Sequence, residues 1–320
     1  MRAWTALIAV LVSGCVLAGP EGSESLSVPD DLPAGFEPIP VPAHTPLTAS
    51  RVSLGERLFF DPSLSADGSV SCASCHKPEL AFADDVAVSP GVEGRTGIRN
   101  APSLVNVAWQ DLLFWDGGAF TLELQAVGPL EARDEMDRPL AEVLEQLNGD
   151  PSYREAFLDA FGDEATVQTF TQALGAYQRT IRSGGSRFDR EALTPHEDAG
   201  RALFFGRANC ASCHSGFLLT DQSFRSNGLS VAADSGRARI TLRPEDRGLF
   251  KVPSLRNVSL TAPYMHDGRF ESIEDVIEHY DKGGETASPG IRPLNLTAAE
   301  KRQLEAFLRA LEDTSIRTGL

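Results

Sequence analysis

The chain has 320 residues, with 45 acidic against 29 basic side chains and a formal net charge of −16. That balance argues against nucleic acid as a partner, since phosphates are held by Lys and Arg, and fits a soluble surface able to steer a basic protein. The length suits about two domains. Its five cysteines make an odd disulfide framework for an acidic chain of this size.

In chain order, Arg2 is followed by the apolar run "WTALIAVLVSG", too short to span a bilayer. It ends in "LVSGC", which resembles the lipobox of bacterial lipoproteins. The expectation is a signal peptide over residues 1–14, a lipid on Cys15, and a Pro/Gly/Ser-rich tether over 15–48. An ordinary signal peptide with an incidental cysteine is the alternative. Either exports the protein; the lipoprotein reading places it in the periplasm, touching the membrane through a lipid anchor only. Helical apolar spacing follows at 51–60, 139–147, 165–181 and 301–311. "TPHE" (194–197) and "TAAE" (297–300) read as capping boxes. Segments 84–118 and 215–270 are rich in Gly, Pro, Ser and Asn, and read as long loops wrapped around a cofactor. No alternating run is long enough for a large sheet. His44 and His196 read as surface or cap-adjacent residues, and "PEDRG" (244–248) as a solvated loop.

The pentapeptide "CASCH" occurs twice, as Cys72, Cys75 and His76 and as Cys210, Cys213 and His214. Two thiols at this spacing followed by His suit a c-type haem. Each sulfur forms a thioether to the porphyrin, and the imidazole reaches the iron. A zinc ribbon needs its two Cys pairs about 15–20 residues apart, whereas these start 138 residues apart. A thioredoxin-like pair does not explain the repeated His. Two covalently bound c-type haems are therefore expected. The predicted architecture is mainly α, with two tandem cytochrome c-like domains, 49–188 and 189–320, each around one haem with long loops.

The duplication extends further. "GERLFF" precedes the first box and "GRALFF" the second; "PSLVNV" (102–107) matches "PSLRNV" (253–258), and each is followed by Asp-Gly at one spacing. The offset here is 151. It sets Tyr280 opposite Pro129, His266 opposite Trp115, and Val276 opposite Gln125. The first copy thus lacks candidate ligands that the second keeps, and has Gln125 and Glu135 instead. A haem with a vacant face beside Gln and Glu can bind peroxide; one closed on both sides is better suited to passing electrons. For the second iron, Tyr280, Met265 and His279 are rival ligands, and His266 reads as a hydrogen-bonded structural residue. Tyr280 and Trp115 could equally be packed core aromatics.

The motifs "LGERLFFDPSLSADGSVSCASCH", "RNAPSLVNV", "FWDG", "GPLEARDEM", "RALFFGRANCASCH" and "TAPYMHDG" resemble the bacterial di-haem cytochrome c peroxidase superfamily over residues 34–311. The resemblance implies a peroxidatic first haem and an electron-transferring second one, with Trp115 as the relay between them. It implies Gln125, Glu135 and Pro129 on the open face, and a calcium ion at Asn100, Thr261 and Pro263. Conventional members have a His that caps the resting first iron; "PELAFADDVAVSPGVEGRTGIRN" (78–100) has neither His nor Met. Those members also place Met where Tyr280 stands. Both departures resemble the MauG/MbnH-like branch, in which hydrogen peroxide oxidises residues of a protein partner. The implied partners are hydrogen peroxide and either a small redox protein (cytochrome c or cupredoxin) or a protein substrate. Ordinary peroxide detoxification and a non-enzymatic di-haem electron carrier are the rival functions.

Overall fold

A computed structural model describes residues 35–43, 45–230 and 234–319. The signal segment, Cys15 and His44 lie outside the described residues. The helices, in chain order, are α1 (Ala49–Phe60), α2 (Cys72–Cys75), α3 (Leu122–Glu131), α4 (Leu140–Gly149), α5 (Pro151–Phe161), α6 (Val167–Gln178), α7 (Pro195–Phe205), α8 (Ala238–Thr241), α9 (Ile273–Lys282) and α10 (Ala298–Arg309). The strands of the described residues are two short ones, β1 (Phe224–Arg225) and β2 (Phe250–Lys251), paired antiparallel. The fold is mainly helical.

Local chemistry sets the helix starts. Thr48 accepts from the Arg51 N–H at the head of α1. Thr194–Glu197 and Thr297–Glu300 form the two expected capping boxes, at α7 and α10. The halves repeat one plan. In the first, α1 crosses α6 at Gly55, where any added methyl would overlap the Ala173 carbonyl. In the second, α7 crosses α10 at Gly200, where the obstacle is the Gln303 carbonyl. These are the glycines of "GERLFF" and "GRALFF": both are there because two backbones touch. Gly55→Ala is expected to destabilise the protein by about 1–3 kcal/mol, seen as a lower urea midpoint. An unchanged midpoint would contradict the close crossing.

Two apolar clusters follow from this plan. One gathers Leu58, Phe59, Phe82, Leu147, Phe157, Phe170 and Tyr177; the other gathers Phe204, Leu219, Ile273, Ile277, Leu304 and Phe307. Repeat-equivalent Asn106 and Asn257 share a left-handed conformation (φ 59° each) and full burial. They meet at the chain between the halves: Asn106 Nδ2 donates to the Ser183 carbonyl (2.9 Å) and Asn257 Nδ2 to Ser183 Oγ (2.8 Å). Asp313 accepts from the N–H groups of Gly184 and Gly185 at 3.0 and 2.8 Å. Ile316 returns to pack on the first cluster.

Two sequence readings are modified. The end of the expected tether lies against the protein: Leu47 is buried, Phe36 packs between Trp109 and Phe217, and Trp109 Nε1 donates to the Glu37 carbonyl. The apolar side chains at 36 and 47 outweigh the loop-like composition around them. In "PEDRG", Asp246 is buried rather than solvated, because Thr241 and Arg243 donate to its carboxylate.

Candidate functional site

Each box is a tight turn that brings its His back over its first Cys. His76 N–H donates to the Cys72 carbonyl and His214 N–H to the Cys210 carbonyl, both at 2.9 Å. The ring is then braced: His76 Nδ1 faces the Phe82 carbonyl at 3.0 Å and His214 Nδ1 the Leu219 carbonyl at 3.2 Å. The carbonyls of Pro102 and Pro253, repeat-equivalent residues, bear on the same two rings. A carbonyl can only accept, so Nδ1 carries the proton and Nε2 keeps its lone pair. Burial lowers the pKa of both imidazoles, against the smaller opposing effect of those carbonyls, which keeps them neutral. The four box thiols are free of disulfides, and burial pushes those of Cys72 and Cys210 up to about 12.

Helix α9 lines the same cavity as the second box, and α3 is its repeat counterpart in the first half, packed on α6. Both are ten residues long and start behind Thr121 and Ser272, 151 residues apart. The repeat correspondence is therefore a helix correspondence, and Pro129 occupies in α3 the place of Tyr280 in α9. Gln125 and Pro129 are half-buried and one turn apart on one face of α3. Glu135 follows in a turn held by its own N–H to the Ala132 carbonyl (3.0 Å) and by Val92 N–H to its carbonyl (2.8 Å). Its surface is exposed, yet burial raises its carboxyl above the usual range, with Asp134 adding to the rise. The crowding is the better guide to its proton affinity, since the thiols of Cys72 and Cys75 both feel its charge. Gly91 makes the turn possible: a side chain there would strike the carbonyls of Asp134 and Glu135.

In the wall of the cavity beside the second box, Trp115 Nε1 donates to the Asn100 carbonyl (2.9 Å), and Asn100 N–H to the His266 carbonyl (2.8 Å). A clamp that the sequence did not reveal surrounds this point. Arg99 donates to Asp116 (2.7 Å) and, through two nitrogens, to Asp234 (2.6 and 2.9 Å), while Arg237 donates to the Asp116 carbonyl (2.7 Å). The repeated Asp-Gly pair was its one visible trace; Asp234 is 135 residues from Arg99, beyond any local pattern.

A cavity of about 330 Å³ with largely apolar walls opens beside the second box. Cys210, Cys213, His214, Tyr280, Met265 and His266 line it, and so do Trp115, Asn100, Thr261 and Pro263. His279 is not among the lining residues. It is buried with Nε2 against the Asn227 carbonyl at 2.8 Å. His266 stacks on Phe250 with ring centres 3.8 Å apart. Met265 Sδ receives a hydrogen bond from Asn227 Nδ2 at 3.3 Å. Burial raises the Tyr280 phenol well above its usual value, and the nearby thiols of Cys210 and Cys213 add to that. Asn100 spends Nδ2 on the carbonyls of Val86 and Ala87. Among the described residues no group of three or more His, Cys, Asp or Glu could hold a metal ion, and no helix is long and apolar enough to cross a membrane. Paired thiols, a neutral His with a free Nε2 and an apolar cavity suit a covalently bound haem at the second box. The first box repeats its thiols and His.

Comparison with known proteins agrees. The family model for di-haem cytochrome c peroxidase matches residues 49–197. The methylamine utilization protein MauG of Methylorubrum extorquens is 42% identical over 86% of this chain and 82% of its own length. The cytochrome c551 peroxidase of Nitrosomonas europaea is 38% identical over 77% of each. Among solved structures, a MauG-like protein associated with microbial copper homeostasis superposes with a TM-score of 0.85 at 37% identity, over 90% of this chain and 97% of that one. The diheme peroxidase BthA from Burkholderia thailandensis gives 0.74 at 28% identity, over 84% and 87%. A twice-built c-type haem site on a mainly helical scaffold, together with relatives of this identity and coverage, makes the chain a member of the di-haem cytochrome c peroxidase and MauG family, a haem oxidoreductase that acts on peroxide with two c-type haems.

Proposed function

We propose that this peroxidase is asymmetric: peroxide reacts on the α3 side of the first box, and oxidising equivalents pass by Trp115 to the second box and on to a protein partner. The observation that carries this is the helix pair, with Pro129 in α3 where α9 has Tyr280. Pro offers no side-chain donor, so the first site keeps a face for substrate, while the Tyr280 phenol can close the second. A haem at each box supplies the electron exchange that peroxide reduction needs. The chain's own residues handle protons and position. Glu135 takes the proton from one peroxide oxygen and delivers it to the other, and Gln125 orients the oxygen pair by its amide. Peroxide takes two electrons and two protons and leaves as two waters. The partner supplies the electrons, either as a small redox protein, cytochrome c or cupredoxin, or as side chains of a protein substrate.

Three further readings belong to the same proposal. Residues 49–188 and 189–320 act as the two haem domains, in line with the two apolar clusters. Asn100 Oδ1 and the carbonyls of Thr261 and Pro263 would hold a calcium ion, a hard cation that takes oxygen donors; all three residues line one cavity. Cys15 carries a lipid that anchors the exported protein in the periplasm, as its lipobox suggests.

The test is the spectrum of the resting ferric holoprotein. It is expected to show one high-spin and one low-spin haem before any reductant is added. Tyr280→Phe should change the low-spin signal alone. Two low-spin haems inert to peroxide would make the protein an electron carrier, and an untouched low-spin signal would hand the ligand role to Met265. Turnover of a soluble cytochrome distinguishes peroxide detoxification from a mass change on a protein substrate.

A further inference from the structure

Lys251 is the last residue of β2 and sits where the halves meet. Its N–H donates to the Trp115 carbonyl at 2.8 Å. Its Nζ donates to Gln110 Oε1 and to the Leu112 carbonyl, the latter at 2.8 Å. Both acceptors are neutral. Among the described residues no carboxylate ion-pairs with it, and the one acidic group that acts on it, Asp111, is exposed. Burial pulls its pKa down to about 8. Taking an ammonium out of water is costly, so buried charges are normally paired.

Lys251 is also one of the residues that line the cavity beside the second box. Three arginines line it too, and two of them are held by carboxylates. Arg256 is gripped by both oxygens of Asp189, Arg225 donates to Asp221, and Arg292 is exposed. Lys251 is thus a crowded cation with no balancing anion, facing a largely apolar space that suits a haem. A haem brings carboxylates of its own.

We propose that Lys251 is the counter-ion for a carboxylate of the haem held by the second box, and so acts as a positioning residue that registers this haem against Trp115. The inference rests on the two-haem reading above. A fixed cation beside a haem favours the form with one more electron, so Lys251 holds the potential of this haem above the value a neutral residue there would give.

The experiment compares holoprotein carrying Lys251→Gln or Lys251→Arg by spectroelectrochemical titration of both haems. Lys251→Gln is expected to shift the second-box haem to lower potential and leave the other within error; Lys251→Arg should restore the original value. A Gln variant with two haems and an unmoved second potential overturns the proposal, and so does an Arg variant that shifts as far as Gln. If the Gln variant does not mature, a crystal structure of the unaltered holoprotein decides. A haem carboxylate oxygen within about 4 Å of Nζ supports the pairing, and carboxylates turned elsewhere overturn it. Haem content separates the two layers of argument: fewer than two haems in the unaltered chain defeats the underlying reading and this proposal with it, whereas two haems with an unmoved potential defeat this proposal alone.

Discussion

Glu135→Gln is expected to lower peroxide-dependent turnover by about 100- to 10,000-fold, the usual worth of a positioned acid–base group, with haem content unchanged. Gln keeps the size and polarity of the side chain but cannot take up and return a proton. The pH profile carries the sharper test. To accept the first proton Glu135 must be ionised, and burial holds its carboxyl above the ordinary 4.5. The unaltered enzyme should therefore gain rate as pH rises through a midpoint above 4.5, then level off. In Glu135→Gln that acid limb should vanish along with the rate. A variant that retains most of its turnover, or keeps the limb, would remove Glu135 from the proton path. Loss of the limb also separates a chemical role from a structural one, since a merely loosened turn would lower the rate at every pH.

Asp189→Ala is expected to cost about 3–5 kcal/mol, the range for stranding one member of a buried ion pair. Arg256 and Asp189 leave only 5% and 4% of their side chains exposed, and meet through two 2.9 Å hydrogen bonds. Arg256 also donates to the Phe217 carbonyl and lies over the Phe36 ring. Removing Asp189 leaves a guanidinium with no way to lose its charge. Urea unfolding of the holoprotein should show the loss. The double change Asp189→Leu with Arg256→Met should recover part of it, because an apolar pair needs no balancing charge. A single change costing less than about 1 kcal/mol would mean that water reaches the pair.

Much of this was legible in the sequence because it depends on neighbours in the chain. The boxes, the caps at Thr194 and Thr297, and helices α1, α4, α6 and α10 all follow from local spacing. The 151-residue offset went further and paired Pro129 with Tyr280 before any coordinates. Helix α3 was hidden, because Gly128 and Pro129 near its end weaken the periodic signal. Helix α5 (Pro151–Phe161) was likewise missed. The rest depends on distant partners. Nothing near Lys251 says that its Nζ reaches Gln110, 141 residues away. Nothing near His279 says that Asn227 occupies its ring nitrogen, which sets it apart from Tyr280 and Met265 as a ligand.

The imidazole braces have a wider consequence. Phe82 and Leu219 lend backbone oxygens, not side chains, so mutation at either position leaves the prop standing. The side that each box His offers is thereby insulated from sequence drift, whereas the paired helices differ by single side chains, Pro129 in α3 and Tyr280 in α9. A duplicated ancestor could specialise its twins by altering one helix and never disturb how the pigment is fastened.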